Sequence, residues 1–114
     1  MITHLVLFSP QQTLDAEHQA AILESLQRAV TQCPTVRACR IGRRVRHGLA
    51  GYEQHMREDY QYVLALEFDD VDGLRAYLRH PAHDQIGGFF TSAASASLAY
   101  DYEMVDLGDA ARLL

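Results

Sequence analysis

The 114-residue chain contains no lysine, no asparagine and no tryptophan. Without lysine it has no side-chain amine for a Schiff base with a carbonyl substrate or an anchored pyridoxal phosphate, and no Gly-Lys pair for a phosphate-binding P-loop. Without asparagine it has no N-glycosylation acceptor. Its two cysteines, Cys33 and Cys39, are too few for a disulfide framework or a four-cysteine zinc site. They read as small buried thiols in a reducing compartment. No apolar run approaches the roughly 20 residues of a membrane span. The opening MITHLVLFSP lacks the basic segment and the longer apolar run of a signal peptide. A cytoplasmic protein is expected, with no membrane partner. The net charge of −5 argues against nucleic acid as well.

Hydrophobic residues make up 48% and charged residues 22%, which suits one domain with one core. Ile2 to Phe8 is β-branched and aromatic and reads as a strand. Both of its faces are apolar, with His4, Val6 and Phe8 on one and Leu5 and Leu7 on the other. Thr13 to Gln32 reads as a helix, with Thr13 as N-cap and Leu14, Ile22, Leu23, Leu26, Ala29 and Val30 at helical spacing. Pro34 ends it, and a second strand follows from about Val36 to Val45. Arg46 to Tyr60 is a long polar connection with Gly48 and Gly51, and a helical turn is expected near 51–56. Tyr62 to Phe68 is the clearest strand, with Tyr62, Leu64, Leu66 and Phe68 on one face. Val71 to His80 reads as the second helix, with Leu74, Tyr77 and Leu78 as its buried stripe. Ala82 to Ser92 reads as loop or a short helical piece, and the last strand runs from about Ser97 to Val105.

This order, β-α-β-β-α-β, predicts an α+β, ferredoxin-like fold. The domain should occupy residues 1–105, with 106–114 as a tail that is frayed or docked on a neighbour. Two helices cover one face of a sheet, yet the first strand is apolar on both. The second face, with Leu5, Leu7, Val63 and Ala65, predicts a homodimer packed sheet against sheet.

Of six histidines, His18, His47 and His55 lie in polar surroundings and read as surface residues. His4 sits inside an apolar strand. Tyr77-Leu78-Arg79-His80-Pro81-Ala82-His83 places two imidazoles where the second helix breaks. If His4 faces the helices, then His4, Tyr77 and His83 converge between helix and sheet, and Tyr62 can join them. Imidazole and phenol in an apolar pocket suit proton transfer on a small, mostly apolar substrate. The same groups also suit a core hydrogen-bond network. His80 and His83, three apart, with His4 make a possible ligand set for a metal. Pro81 between them and the lack of a carboxylate at ligand spacing argue against one, so no metal and no cofactor are expected. Arg37, Arg40, Arg43, Arg44 and Arg46 crowd the second strand. They read as a solvated face paired with carboxylates or as a mouth for an anionic ligand.

The opening strand with His4, the Pro34 stop, Tyr60-Gln61-Tyr62, Glu67-Phe68, the Tyr-x-x-His-Pro-x-His string from Tyr77 and Asp101-Tyr102-Glu103 give the chain its resemblance. It resembles the stress-responsive A/B barrel (Dabb) family over about residues 1 to 105. The resemblance implies a dimeric α+β barrel. One plant branch of that family looks like polyketide cyclases, in which a tyrosine and the second histidine of the His-Pro-x-His string act as acid and base. Here those positions are Tyr77 and His83, with His4 nearby. A further histidine of that branch, near the start of the third strand, is Tyr62 here. The resemblance also implies pocket walls from Ile22, Leu23, Leu26, Cys39, Leu64, Phe89 and Ala99, with His80 beside them. The functions implied are cofactor-free acid/base chemistry on a small carbonyl compound, or non-enzymatic binding of a small ligand in a stress response. A cofactor-independent monooxygenase is a third, less suited reading, because that group commonly uses asparagine and tryptophan.

Overall fold

The structure, a computed structural model, describes residues 1–11, 15–92 and 94–114, with the side chains of 89–92 outside that description. The elements are β1 (Ile2–Pro10), α1 (Ala16–Gln32), β2 (Ala38–Arg43), β3 (Tyr62–Phe68), α2 (Val71–Leu78), α3 (Pro81–Ser92) and β4 (Ala94–Glu103). Short 3₁₀ turns follow β2 at Glu53–His55 and β4 at Leu107–Arg112. The strands form one antiparallel sheet in the order β2-β3-β1-β4. It is the ferredoxin-like α+β arrangement, with the helical layer on one face only.

Antiparallel register assigns the faces, because paired residues share a side. His4 lies opposite Leu66 on β3 and Asp101 on β4. Ile2, His4, Val6 and Phe8 are buried, as are Leu64, Leu66 and Phe68. They form the helix-facing wall of the core, packed by Leu26 and Ala29 of α1, Leu74 and Tyr77 of α2, and Ala82 and Ile86 of α3. The outer face carries Thr3, Leu5 and Leu7, then Val63, Ala65 and Glu67, and from β4 Leu98, Tyr100 and Tyr102. Among the described residues no element covers Tyr100 or Tyr102, which are 54% and 47% exposed.

Local chemistry sets the element ends. Asp15 caps α1 by accepting from His18 N at 2.8 Å, and the expected cap Thr13 and helical Leu14 lie outside the described residues. Asp70 caps α2 by accepting from Gly73 N at 2.8 Å. β2 is shorter than its β-branched flanks suggest: its ladder with β3 runs over Ala38–Arg43, and Arg37 adds one backbone bond to Glu67 just before it. The sequence 82–92 is helical rather than loop. Pro81 starts α3, since a proline at the first helical position loses no hydrogen bond and arrives with its φ already set. The His80 ring accepts from Ala82 N at 3.1 Å and so serves as the N-terminal cap of α3. In the long connection, Gly48 (φ 75°) and Gly51 (φ 88°) take left-handed backbone that other residues adopt rarely.

Candidate functional site

The break between α2 and α3 brings three rings together. Tyr77 leaves α2 on its buried face, one turn after Leu74, and is 1% exposed. His83 lies in the first turn of α3. Its ring meets the Tyr77 ring edge to face, with centroids 5.0 Å apart. His4 rises from the middle of β1, its ring centroid 6.0 Å from that of Tyr77. Phe68 supports Tyr77 from the sheet at 5.4 Å.

Tyr77, His83 and His4 line a cavity of about 280 Å³ between the sheet and α3. The rest of its wall is mostly apolar, chiefly Val6, Leu64, Leu78, Ile86 and Ala99, with Ser97 beside them. Gly87 also lines it, and a Cβ built there would meet no atom within 4 Å. The missing side chain leaves room in the cavity.

The site's electrostatics follow from burial. The Tyr77 phenol is pushed up to about 12 by desolvation, with Cys39 and Cys33 nearby adding to the effect. It stays protonated throughout the physiological range. Among the described residues nothing hydrogen-bonds its hydroxyl. Desolvation moves His83 below the usual imidazole value and the charge of His4 adds to it, while Asp84 and a hydrogen bond to the Leu78 backbone oppose the shift. A neutral imidazole therefore faces a protonated phenol at neutral pH. His4 Nδ1 lies 2.6 Å from Asp101 Oδ1, across the β1–β4 ladder. A carboxylate only accepts, so the His4 Nδ1–H is the donor in this bond.

The remaining expected site residues divide among other places. Tyr62, Ile22 and Leu23 line a second cavity of about 270 Å³, with Phe8, Gln19 and Ile41, between α1 and β2. Phe8 and Tyr62 stack at 5.4 Å. Leu26 is buried in the core, and Cys39 is half-buried against it. Both cysteines are free thiols. His80 is committed to capping α3. The side chain of Phe89 lies outside the described residues. Among the described residues no three histidine, cysteine or acidic side chains gather as a metal site, and no helix is long and apolar enough to cross a membrane.

The arginines of β2 and its exit are largely spoken for. Arg37 binds Asp69 at 2.7 Å, Arg44 binds Asp59 at 2.6 Å, and Arg46 also binds Asp59. These bonds hold both carboxylates below the usual range. Sequence reasoning missed two residues, Asp101 and Gly87. The β1–β4 register would have revealed Asp101 opposite His4, had the pairing been known.

The fold has solved relatives. It is similar to hydroxynitrile lyase from Passiflora edulis, at 11% identity and a TM-score of 0.75, over 92% of this chain and 94% of that one. A dimeric ferredoxin-like protein of unknown function from Jannaschia sp. matches at 24% identity and a TM-score of 0.71, over 90% and 98%. SnoaB, a cofactor-independent oxygenase from Streptomyces nogalater, matches at 14% identity and a TM-score of 0.61, over 90% and 91%. No curated protein matches in sequence. The model of one family, the Stress responsive A/B Barrel Domain (Dabb), matches residues 2–104. With that match spanning all four strands and the histidine cavity, the chain belongs to the stress responsive A/B barrel family.

Proposed function

We propose that the protein is a homodimer whose histidine cavity performs cofactor-free acid/base chemistry on a small carbonyl compound with an apolar body. The observation that carries this reading is the meeting of Tyr77, His83 and His4 around one apolar cavity of about 280 Å³. Neutral His83 takes a proton from the carbon beside the carbonyl. The Tyr77 hydroxyl gives a proton to the carbonyl oxygen as negative charge develops there. The product is the enol, from which isomerisation or ring closure can proceed. His4, held by Asp101, stands beside Tyr77 and orders the polar end of the cavity. Val6, Leu64, Leu78 and Ile86 take the apolar body.

Incubation with 2-heptanone in deuterated buffer tests the chemistry. The protein should speed α-deuteration, read by NMR, above buffer and above equal imidazole. Exchange no faster than imidazole would overturn the enzymatic reading. A second reading, binding without turnover, rests on the predominance of apolar wall over polar groups in the same cavity. It predicts saturable 2-heptanone binding with no added exchange. The oxygenase reading is disfavoured, since the chain holds neither asparagine nor tryptophan.

The dimer reading rests on the outer sheet face. One protomer is a slab 18 Å thick, one helical layer on one sheet, with Leu5, Leu7, Val63, Leu98, Tyr100 and Tyr102 on its uncovered side. A second copy covers that face by two-fold symmetry. Relatives of the same fold are described as dimeric. The free cysteines suit a reducing, cytoplasmic setting.

A further inference from the structure

Strand register lays out the sheet side of the histidine cavity in rows. His4 stands opposite Asp101, Val6 opposite Leu64 and Ala99, and Phe8 opposite Ser97. Paired residues share a side, so all of them point toward the helical layer. His4 and the rings of Tyr77 and His83 form one polar end of the cavity. The middle row is apolar throughout, as are Leu78 and Ile86, which line the same cavity from the helices. Ser97 lies at the far end, four residues along β4 from Asp101, or about 14 Å of strand.

Beyond those three rings, Ser97 is the one polar side chain among the described residues of the wall. Its hydroxyl makes no hydrogen bond among the described residues, although it can donate one and accept two. Two residues earlier the case is different. Ser95 Oγ donates to the Ser9 carbonyl at 3.1 Å and is spent on tying β4 to β1. Ser97 and Ala99 are exposed, so the cavity opens along β4 on the side where Ser97 stands. The small Ala99 leaves the path from that opening to the three rings unobstructed.

We propose that Ser97 is a specificity-determining residue of this cavity and that the substrate is a neutral hydroxyketone, its carbonyl at Tyr77 and His83 and its hydroxyl on Ser97. This rests on the acid/base reading of the cavity and names the substrate class for it. A ligand hydroxyl both donates to Ser97 and accepts from it, whereas a second carbonyl only accepts. No arginine and no acidic side chain lines the wall among the described residues, so nothing there holds a carboxylate or an ammonium group. The apolar middle row requires a run of methylene groups between the two oxygens of the ligand. An unsubstituted ketone sets a methyl group against Ser97 and leaves its hydroxyl without a partner in the complex.

Isothermal titration with 7-hydroxy-2-heptanone and with 2-heptanone tests this on the full chain, on Ser97→Ala and on Ser97→Thr. The full chain should bind the hydroxyketone about five-fold more tightly, the gain expected of one added hydrogen bond. Ser97→Ala should bring the ratio of the two affinities to about one, and Ser97→Thr, which keeps the hydroxyl, should hold the preference. In ¹⁵N NMR the Ser97 amide should move further with the hydroxyketone than with 2-heptanone. Thermal melting of each variant controls for folding. Saturable binding of both compounds by the full chain at a ratio near one overturns the role of Ser97 and leaves the cavity reading standing. A preference that survives Ser97→Ala in full does the same. Saturable binding of neither compound overturns the cavity reading and the role of Ser97 with it.

Discussion

Tyr77 and His83 lie on different helices, yet their rings meet edge to face at 5.0 Å because Pro81 and the capping His80 start α3 where α2 stops. The two-helix break is what joins a buried phenol to an imidazole at the rim of the sheet.

Tyr77→Phe and His83→Ala should each lower the rate of 2-heptanone α-deuteration by about 10²–10⁴-fold, the range for a lost general acid or base. Neither hydroxyl nor imidazole fills the core alone, so the melting temperature of each variant should stay within a few degrees of the wild type. Calorimetry beside the NMR assay checks both. A large loss of stability with unchanged exchange would assign the two residues to the core network instead.

The His83 shift sets a pH dependence. Its folded-state value lies below the ordinary 6.5 because burial disfavours the imidazolium. In the window between the folded value and 6.5 the unfolded chain binds more protons, so stability falls as pH drops through that window. Above 6.5 this contribution is fully present. His83→Gln should flatten the acid side of a denaturant-midpoint profile. The exchange rate should lose its acid limb at a midpoint below 6.5 and show no alkaline fall from Tyr77, whose phenol titrates near 12.

Gly87 offers a way to fill the cavity without disturbing the chain. A side chain there meets no atom within 4 Å at its Cβ, and glycine within a helix costs about 1 kcal/mol relative to alanine. Gly87→Leu should abolish 2-heptanone binding by isothermal titration while holding or raising the melting temperature. Undiminished binding would place the ligand elsewhere.

Leu7→Asp puts a charge at the centre of the outer sheet face. It should convert the dimer to monomer in sedimentation equilibrium, with a mass near the single-chain 12.8 kDa. A dimer of unchanged Kd would show that the second copy packs on another surface.

The strands were legible because their apolar residues alternate or are β-branched without interruption, as in Tyr62–Phe68. The two-sided apolar character of β1 also exposed the need for cover on the outer face. α3 was legible only as one of two alternatives, loop or a short helical piece, because of its own composition. Gly87 and Gly88 are helix breakers on local propensity, and burial of Ala82 and Ile86, four residues apart, offsets them. The rings of Tyr77 and His83 could be placed near each other from the chain break alone. The His4–Asp101 bond could not, because it joins residues 97 apart through strand register. The division of the expected pocket residues between two cavities also depended on how α1 lies across the sheet, which no local pattern encodes.

On the proposed function, the histidine cavity, rather than the one between α1 and β2, receives the ligand. Two-dimensional ¹⁵N NMR during titration with 2-heptanone tests it most directly. Saturable shift changes should concentrate at His4, Tyr77, His83 and Gly87, with Gln19, Leu23 and Ile41 little moved. Changes confined to Gln19, Leu23 and Ile41, or no saturable change anywhere, would contradict it.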